Sequence, residues 1–535
     1  MLKQCDKTMS HNSAMNNKNN DYLLTIDNGT QSVRAIIFDL KGQVVAKSKV
    51  DLDSYYSKAP GWAEQDPDYY WKMLCKACHE LWQQIDFPKS NIKAIALTTQ
   101  RATMVNLDKT GKPLRPAVVW LDQREQKTLD KMSWYWRGLF KVVGASGTIE
   151  YFRSQAEANW IKHQQPQIWK STYKYVLLSG FHTFKLTGKY VDSVSSQVGY
   201  LPFDFKRLAW CKPFDWRWQA LPITKEMLPE LIPCGAELGK ITAQAATDTG
   251  IPEGLILISA GADKACEVLG SGCISPEVGS LSYGTTATFN TTNKKYVEAI
   301  KNIPAYPAAM PDTFNTEMIV QRGYWMVSWF KREFGLREQQ LADERGIAAE
   351  VLFDDLLKAV PPGSMGLMLQ PYWNPGIRNP GPEAKGAMIG FGDVHTRAHI
   401  YRAMIEGLAY ALREGKELSE RKSGVTITKL KVSGGGSQSD EAMQITADIF
   451  GITAERPHTF ETSALGAAIN AAVGIGLYDS YPSALEHMTH EGDKFEPIAE
   501  NKAIYDQLYN QVYQKMYQRL SPLYKSIRAI TGYPE

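Results

Sequence analysis

The chain has 535 residues, with 60 Lys plus Arg against 57 Asp plus Glu, a net charge of +3. That length accommodates two or more domains with separate cores, and near-neutrality without a dense basic tract argues against a nucleic-acid partner. The first twenty residues hold five Asn and no apolar block, so residues 1–20 read as a disordered lead rather than a signal peptide. The longest small-apolar run, Ala464 to Leu477, is broken by Asn470 and several glycines. It is too short to span a bilayer and reads as a buried helix, with no membrane as partner. Seven cysteines without a disulfide-framework spacing fit a reducing, cytoplasmic compartment.

Leu23, Leu24 and Ile26 form one β-favouring run and Ala35 to Phe38 another, so they predict paired strands around Asp27-Asn28-Gly29-Thr30-Gln31-Ser32. Gly29 lets a ligand approach the backbone, and the amides and hydroxyls of Thr30, Gln31 and Ser32 suit phosphate oxygens. Asp27 suits a magnesium ion held through water, while an ordinary Asn-Gly hairpin explains the same residues without a ligand. Val44 to Val50 predicts a third strand, and a Pro- and Gly-containing loop leads to a helix from about Asp68. Its apolar spacing puts Cys75 and Cys78 on the buried face, so Cys75-Lys76-Ala77-Cys78-His79 reads as helix core and not as a haem attachment site. Ile92 to Leu97 predicts a strand whose carboxyl end delivers Gln100 and Arg101, the usual place for ligand groups in α/β sheets. Trp120, Asp122 and Arg124 read either as a sugar platform or as a core Trp beside a surface ion pair.

Residues 125 to 250 are helix-rich and aromatic and carry no nameable motif. Leu255 to Ser259 then leads into Gly261-Ala262-Asp263-Lys264, where Asp263 is either a general base for a hydroxyl or a helix cap. Gly279 to Phe289 repeats the opening design of strand, Gly-Thr loop and strand, with Gly284 and Thr285 in the loop. The simplest account is a duplicated unit gripping phosphates between two loops. His395 and His399 predict surface or capping roles. Leu430 to Val432 enters Ser433-Gly434-Gly435-Gly436 and, after Ser439, a helix from Asp440 to Phe450. Strand, glycine turn and helix N-terminus make a nucleotide corner that is neither a P-loop nor a Rossmann fingerprint. Tyr505, Leu508, Tyr509, Val512, Met516 and Leu520 are expected along one side of a terminal helix.

Together these pieces resemble the FGGY carbohydrate kinases. The resemblance is carried by Asp27-Asn28-Gly29-Thr30, the Pro60-Gly61-Trp62 to Asp66-Pro67 loop, Trp120 to Arg124 and Gly261-Ala262-Asp263. Tyr283-Gly284-Thr285, Glu406-Gly407, Ser433 to Gly436 and Glu461 to Gly466 continue it in family order. It implies an α/β fold of two actin-like (ribonuclease H-like) domains, mixed sheets flanked by helices, with ATP and substrate in the interdomain cleft. The implied division is a substrate-binding domain at residues 21–270 and a nucleotide-binding domain at 271–535. By the same resemblance Asp263 is the base, Asp27 organises Mg²⁺, Thr30 and Thr285 are phosphate-loop threonines, Arg34 lies near the phosphates and Gly435 beside adenosine. Gly29, Gln31, Ser32, Gly284, Gly436 and Ser439 complete the expected ATP site.

The substrate is expected to be a small sugar or polyol held by Gln100, Arg101, Trp120, Asp122 and Asp263. Glycerol kinases carry Gln-Arg-Glu where this chain has Gln100-Arg101-Ala102, and xylulokinases carry Gln-Met-His, so neither substrate follows. Gly376-Ile377-Arg378-Asn379-Pro380 departs from the Gly-Glu-Arg of many members. The alternatives are a non-catalytic actin-like nucleotide-binding regulator and an ATP hydrolase of the same superfamily. If the chain self-associates, a homodimer is the common default.

Overall fold

The computed structural model describes residues 21–300, 303–374, 376 and 380–533. The lead expected at residues 1–20, and Ile377, Arg378 and Asn379, lie outside the described residues.

Two mixed sheets built on one plan carry the fold. In the first half, β1 (Tyr22–Asn28), β2 (Ser32–Asp39) and β3 (Val44–Asp51) form an antiparallel meander, and β4 (Ile92–Thr99) pairs in parallel with β1. With β5 (Glu237–Lys240) and β6 (Ile256–Ile258) the order is β5-β6-β4-β1-β2-β3. β1 is buried along its whole length because it is central and covered on both faces. β3 alternates, turning Lys47 and Lys49 outward, as suits an edge strand.

The second half repeats the plan with β7 (Val278–Tyr283), β8 (Ala287–Asn293), β9 (Tyr306–Pro307), β10 (Phe314–Val320), β11 (Lys429–Ser433), β12 (Thr453–Glu455) and β13 (Lys494–Phe495), ordered β9-β10-β8-β7-β11-β12-β13. In each half an antiparallel three-strand unit is followed by two parallel strands, so β3-β2-β1-β4-β6 matches β10-β8-β7-β11-β12. The duplication inferred from two Gly-Thr loops is therefore a duplication of whole sheets.

Two helices lock the halves together. Helix α1 (Asp263–Gly270) follows β6, and helix α2 (Thr462–Gly474) lies on the first sheet, packing Ala464, Leu465, Ala468 and Ile469 with Leu23, Ile36, Phe38 and Ala96. The crossing is close enough that a Cβ on Gly466 would lie 2.0 Å from the Cys266 carbonyl oxygen, and one on Gly270 2.0 Å from that of Thr462. The small-residue run read as a buried helix is the helix that packs across the two halves.

One expectation needed adjustment. In the helix Pro67–Trp82, Cys78 is fully buried but Cys75 only half-buried, since it lies at the border of the apolar stripe. The terminal helix contains a π turn at Tyr509–Tyr513. Tyr505, Tyr509 and Met516 are buried in the second-half core and Leu508, Val512 and Leu520 pack against it partly buried, so the six expected residues share one side, joined by Tyr513. His399 fills the capping box of the helix Arg397–Ser423 with Thr396, as a capping role requires. No helix among the described residues is long and apolar enough to cross a membrane.

Candidate active site

Strand register assembles the acidic centre. Asp27, the next-to-last residue of β1, lies opposite Arg34 of β2 and beside Thr98 of β4. The cross-strand position lets Arg34 Nη1 donate to Asp27 Oδ2 at 3.3 Å, with Glu461 Oε2 3.6 Å from the same nitrogen. Thr98 Oγ1 donates to the Gly261 carbonyl at 2.9 Å, fastening the turn that presents Asp263 at the start of α1. Asp27 and Asp263 therefore come together at the carboxyl ends of parallel strands.

Burial dominates their electrostatics. Asp27 has its pKa pushed up to about 7, chiefly by burial, with Arg34 opposing and Asp263 and Glu461 adding to the rise. Asp263 is likewise raised by burial, against the pull of Arg101 and Lys264. A raised carboxylate in a dry cleft accepts protons more readily, as a general base for a hydroxyl must.

Around this centre the expected sugar ligands divide. Gln100 Nε2 donates to Tyr70 Oη at 3.0 Å, while its buried Oε1 has no partner among the described residues. Arg101 reaches across the halves to grip Glu317 of β10 through two hydrogen bonds of 3.1 and 3.0 Å, and its guanidinium lies 5.4 Å from the Tyr306 ring centre. Trp120 is 42% exposed, so it is no core residue, and its Nε1 donates to Thr30 Oγ1 at 2.9 Å. Asp122 is otherwise engaged: Arg124 and the Ala63 amide bond both of its oxygens, and Arg124 also binds Glu64, which Arg115 shares. Stacked near Trp62 and Trp160, this buried network holds the Trp62 loop instead of offering a free carboxylate.

Most of the expected nucleotide residues lie in one loop of each half and in the glycine turn after β11. In the first, Gly29 N donates to the Ser32 carbonyl at 3.0 Å, and Gln31 is exposed. In the second, Thr285 is exposed beside Gly284. Gly434, at φ +86°, packs so closely on Tyr283 that a Cβ would fall 2.7 Å from its backbone, which joins the Gly284-Thr285 loop to the glycine turn. Gly435 faces open space, whereas Gly436 lies under the Tyr324 ring, 2.1 Å from a would-be Cβ. Ser439 is spent locally, capping the helix Asp440–Phe450 through Ala442 N at 3.1 Å and donating to Asp354 at 2.5 Å.

The space beside Asp263, lined by Arg101, Lys264, Tyr306 and Glu317, measures about 10 Å³, which is roughly one water. Arg101–Glu317 and a 2.6 Å hydrogen bond from Ser195 Oγ to the Ala308 carbonyl hold this narrow gap from both sides. That space is too small to hold a sugar. Glu317 and Tyr306 were missed in the sequence. The one signal for Glu317 was an acidic residue at a buried position of a strand, and Tyr306 gave none.

Residues 22–270 match the sequence model of the FGGY family of carbohydrate kinases, N-terminal domain, and residues 279–475 its C-terminal domain. A relative named uncharacterized sugar kinase YgcE, from Escherichia coli (strain K12), is 31% identical over 490 residues, covering 91% of each chain. A xylulose kinase of Lactococcus lactis is 27% identical over 490 residues, covering 91% of this chain and 95% of its own. The crystal structure of a gluconate kinase from Lactobacillus acidophilus superposes with a TM-score of 0.77 at 20% identity, covering 96% of this chain and 99% of that one, and so shares the fold.

Proposed function

The chain belongs to the FGGY family of carbohydrate kinases, and we propose that Asp263 is the base in its ATP-dependent phosphorylation of a sugar or polyol hydroxyl. The observation that carries this reading is the convergence of Asp263 with Asp27 at the strand ends, with Lys264 of the same turn bonded to Ser282 at the root of the Gly284-Thr285 loop. Asp263 accepts the proton as the hydroxyl oxygen bonds to the γ-phosphorus, and the bond to the bridging oxygen breaks to release ADP. Such a transfer depends on alignment and charge neutralisation, the work of the phosphate loops contributed by the two halves.

Among the described residues no group of three or more His, Cys, Asp or Glu forms a metal cage. That fits Mg²⁺, which keeps waters and substrate phosphate oxygens and takes few protein carboxylates. Asp27, buried among like charges, is the residue that would hold it, and the ion would supply neutralisation of phosphate charge. Thr30 and Thr285 hold phosphate oxygens, Arg34 fixes Asp27, and Gly435 leaves room for adenosine. Gln100 and Arg101 bind sugar hydroxyls, Arg101 on release from Glu317, and Trp120 closes the outer wall. Asp122 and Ser439 act as supports. The domain boundary falls near Gly270, and the substrate is a single small polyhydroxylated molecule whose entry parts the two halves.

A panel of ketoses, aldoses, sugar acids and polyols, each with ATP and Mg²⁺ in a coupled ADP assay, tests this reading. It predicts ADP formation that depends on one subset of acceptors. ADP formation at the same rate without any acceptor would instead indicate an ATP hydrolase.

A further inference from the structure

One face of the turn that follows the candidate base is committed to the opposite half of the molecule. Lys264 and Glu267 are three residues apart in α1 and so lie on one side of it. Lys264 Nζ donates to Glu267 Oε2 at 2.6 Å and to Ser282 Oγ at 2.8 Å, and Ser433 Oγ donates to Glu267 Oε1 at 2.5 Å. Ser282 and Ser433 are register partners in the parallel pair of β7 and β11. β7 runs on into Gly284-Thr285 and β11 into Gly434-Gly435-Gly436, so the two serines stand at the roots of both second-half nucleotide loops. Burial alone would favour a neutral Glu267. Lys264 and the serine hydroxyls outweigh it, and its pKa lies below the ordinary value.

Adhesion between the halves does not require these charges. The Gly466 and Gly270 crossing already packs α1 against α2, and a buried ion pair adds little net stability once desolvation is counted. What the pair adds is direction, because two charge-assisted bonds to two fixed strand ends define the helix position in both translation and rotation. We propose that Lys264 and Glu267 are positioning residues, a two-point brace that sets the Asp263 carboxylate relative to the strands presenting both nucleotide loops. The inference rests on Asp263 being the base. Asp263 precedes Lys264 directly, so a nucleotide that shifts β7 or β11 moves the base with them, and the base is aligned only when the halves are docked.

Kinetics of full-length Lys264→Met, Glu267→Gln, the double variant and Lys264→Arg, on an acceptor found in the panel and beside Asp263→Asn, test the brace. Lys264→Met strands a buried carboxylate, so the double variant, which removes both charges, guards against a folding defect. The brace predicts kcat lowered about 10- to 100-fold with KM for ATP changed less than about threefold, since alignment and not nucleotide contact is lost. It also predicts a double variant no worse than either single one, and recovery to within about threefold in Lys264→Arg. Unchanged kcat in the double variant, with Asp263→Asn inactive, overturns the brace and leaves the base standing. A fully active Asp263→Asn overturns the base assignment itself. Equal losses in kcat for Lys264→Arg and Lys264→Met would overturn the brace by showing that a cation at this place is not what matters.

Discussion

Gly466→Ala tests whether the helix crossing sets the geometry of the acidic centre. A Cβ there would stand 2.0 Å from the Cys266 carbonyl oxygen, 2.7 Å from its carbon and 2.9 Å from its Cα, all backbone atoms that cannot rotate aside. The helices must part by about 1 Å, and overpacking of this kind costs ~1–3 kcal/mol. Alanine returns ~1 kcal/mol of helix propensity, so a contact this short leaves a net loss of about 2 kcal/mol. For domains of this size that lowers Tm by about 4–8 °C. The same displacement moves the helix that begins at Asp263, and a misplacement of ~1 Å at a reacting group costs about 100-fold in rate. Thermal melts and kcat on one accepted sugar measure both effects. Gly138→Ala is the control, because it lies inside the helix Trp134–Val142 with nothing within 4 Å of a new Cβ, and it should be neutral or slightly stabilising. A Gly466→Ala protein that melts and turns over like the parent would refute the claim that this crossing is tight and positions the base.

The titration of Asp27 gives a second expectation. With its pKa near 7 in the fold and about 3.8 when unfolded, the folded protein retains a proton that the unfolded chain has released across that window. The ligand-free protein therefore loses stability from this group as pH rises from about 4 to 7. Binding of MgADP at pH 6 should release up to about one proton as the cation returns Asp27 to its ionised form, visible by calorimetry in buffers of different ionisation enthalpy. Asp27→Asn should abolish that release, and an unchanged release would contradict Asp27 as the metal-side carboxylate. Glu317→Gln removes half of the bidentate pair with Arg101, a loss of about 2–4 kcal/mol from contacts between the halves. Small-angle scattering of the acceptor-free variant should show a larger radius of gyration, and an identical profile would mean that the pair does not hold the cleft closed.

What the sequence revealed was local or repeated. Asp27 and Arg34, seven residues apart in sequence, meet because the strands expected on either side of Asp27 to Ser32 pair and set them opposite each other. The duplicated loops announced duplicated sheets because each half begins with the same strand design. Arg101 with Glu317 and Glu267 with Ser433 are 216 and 166 residues apart, and only the docking of two sheets brings them together. No periodicity encodes that. Asp122 misled for a related reason: its neighbour Arg124 was visible, but Glu64 and Arg115, which complete the network, arrive from other strands and loops. The terminal helix was legible because its apolar residues keep to the core side on both sides of the π turn.

Asp263→Asn keeps the shape of the side chain and removes the proton acceptor. Compared with the parent in a single-turnover experiment with saturating ATP and an accepted sugar, it should lower the rate of phosphoryl transfer about 100- to 10,000-fold while leaving ADP affinity within about threefold. A variant that transfers phosphate at the parental rate would show that this carboxylate takes no part in the chemistry.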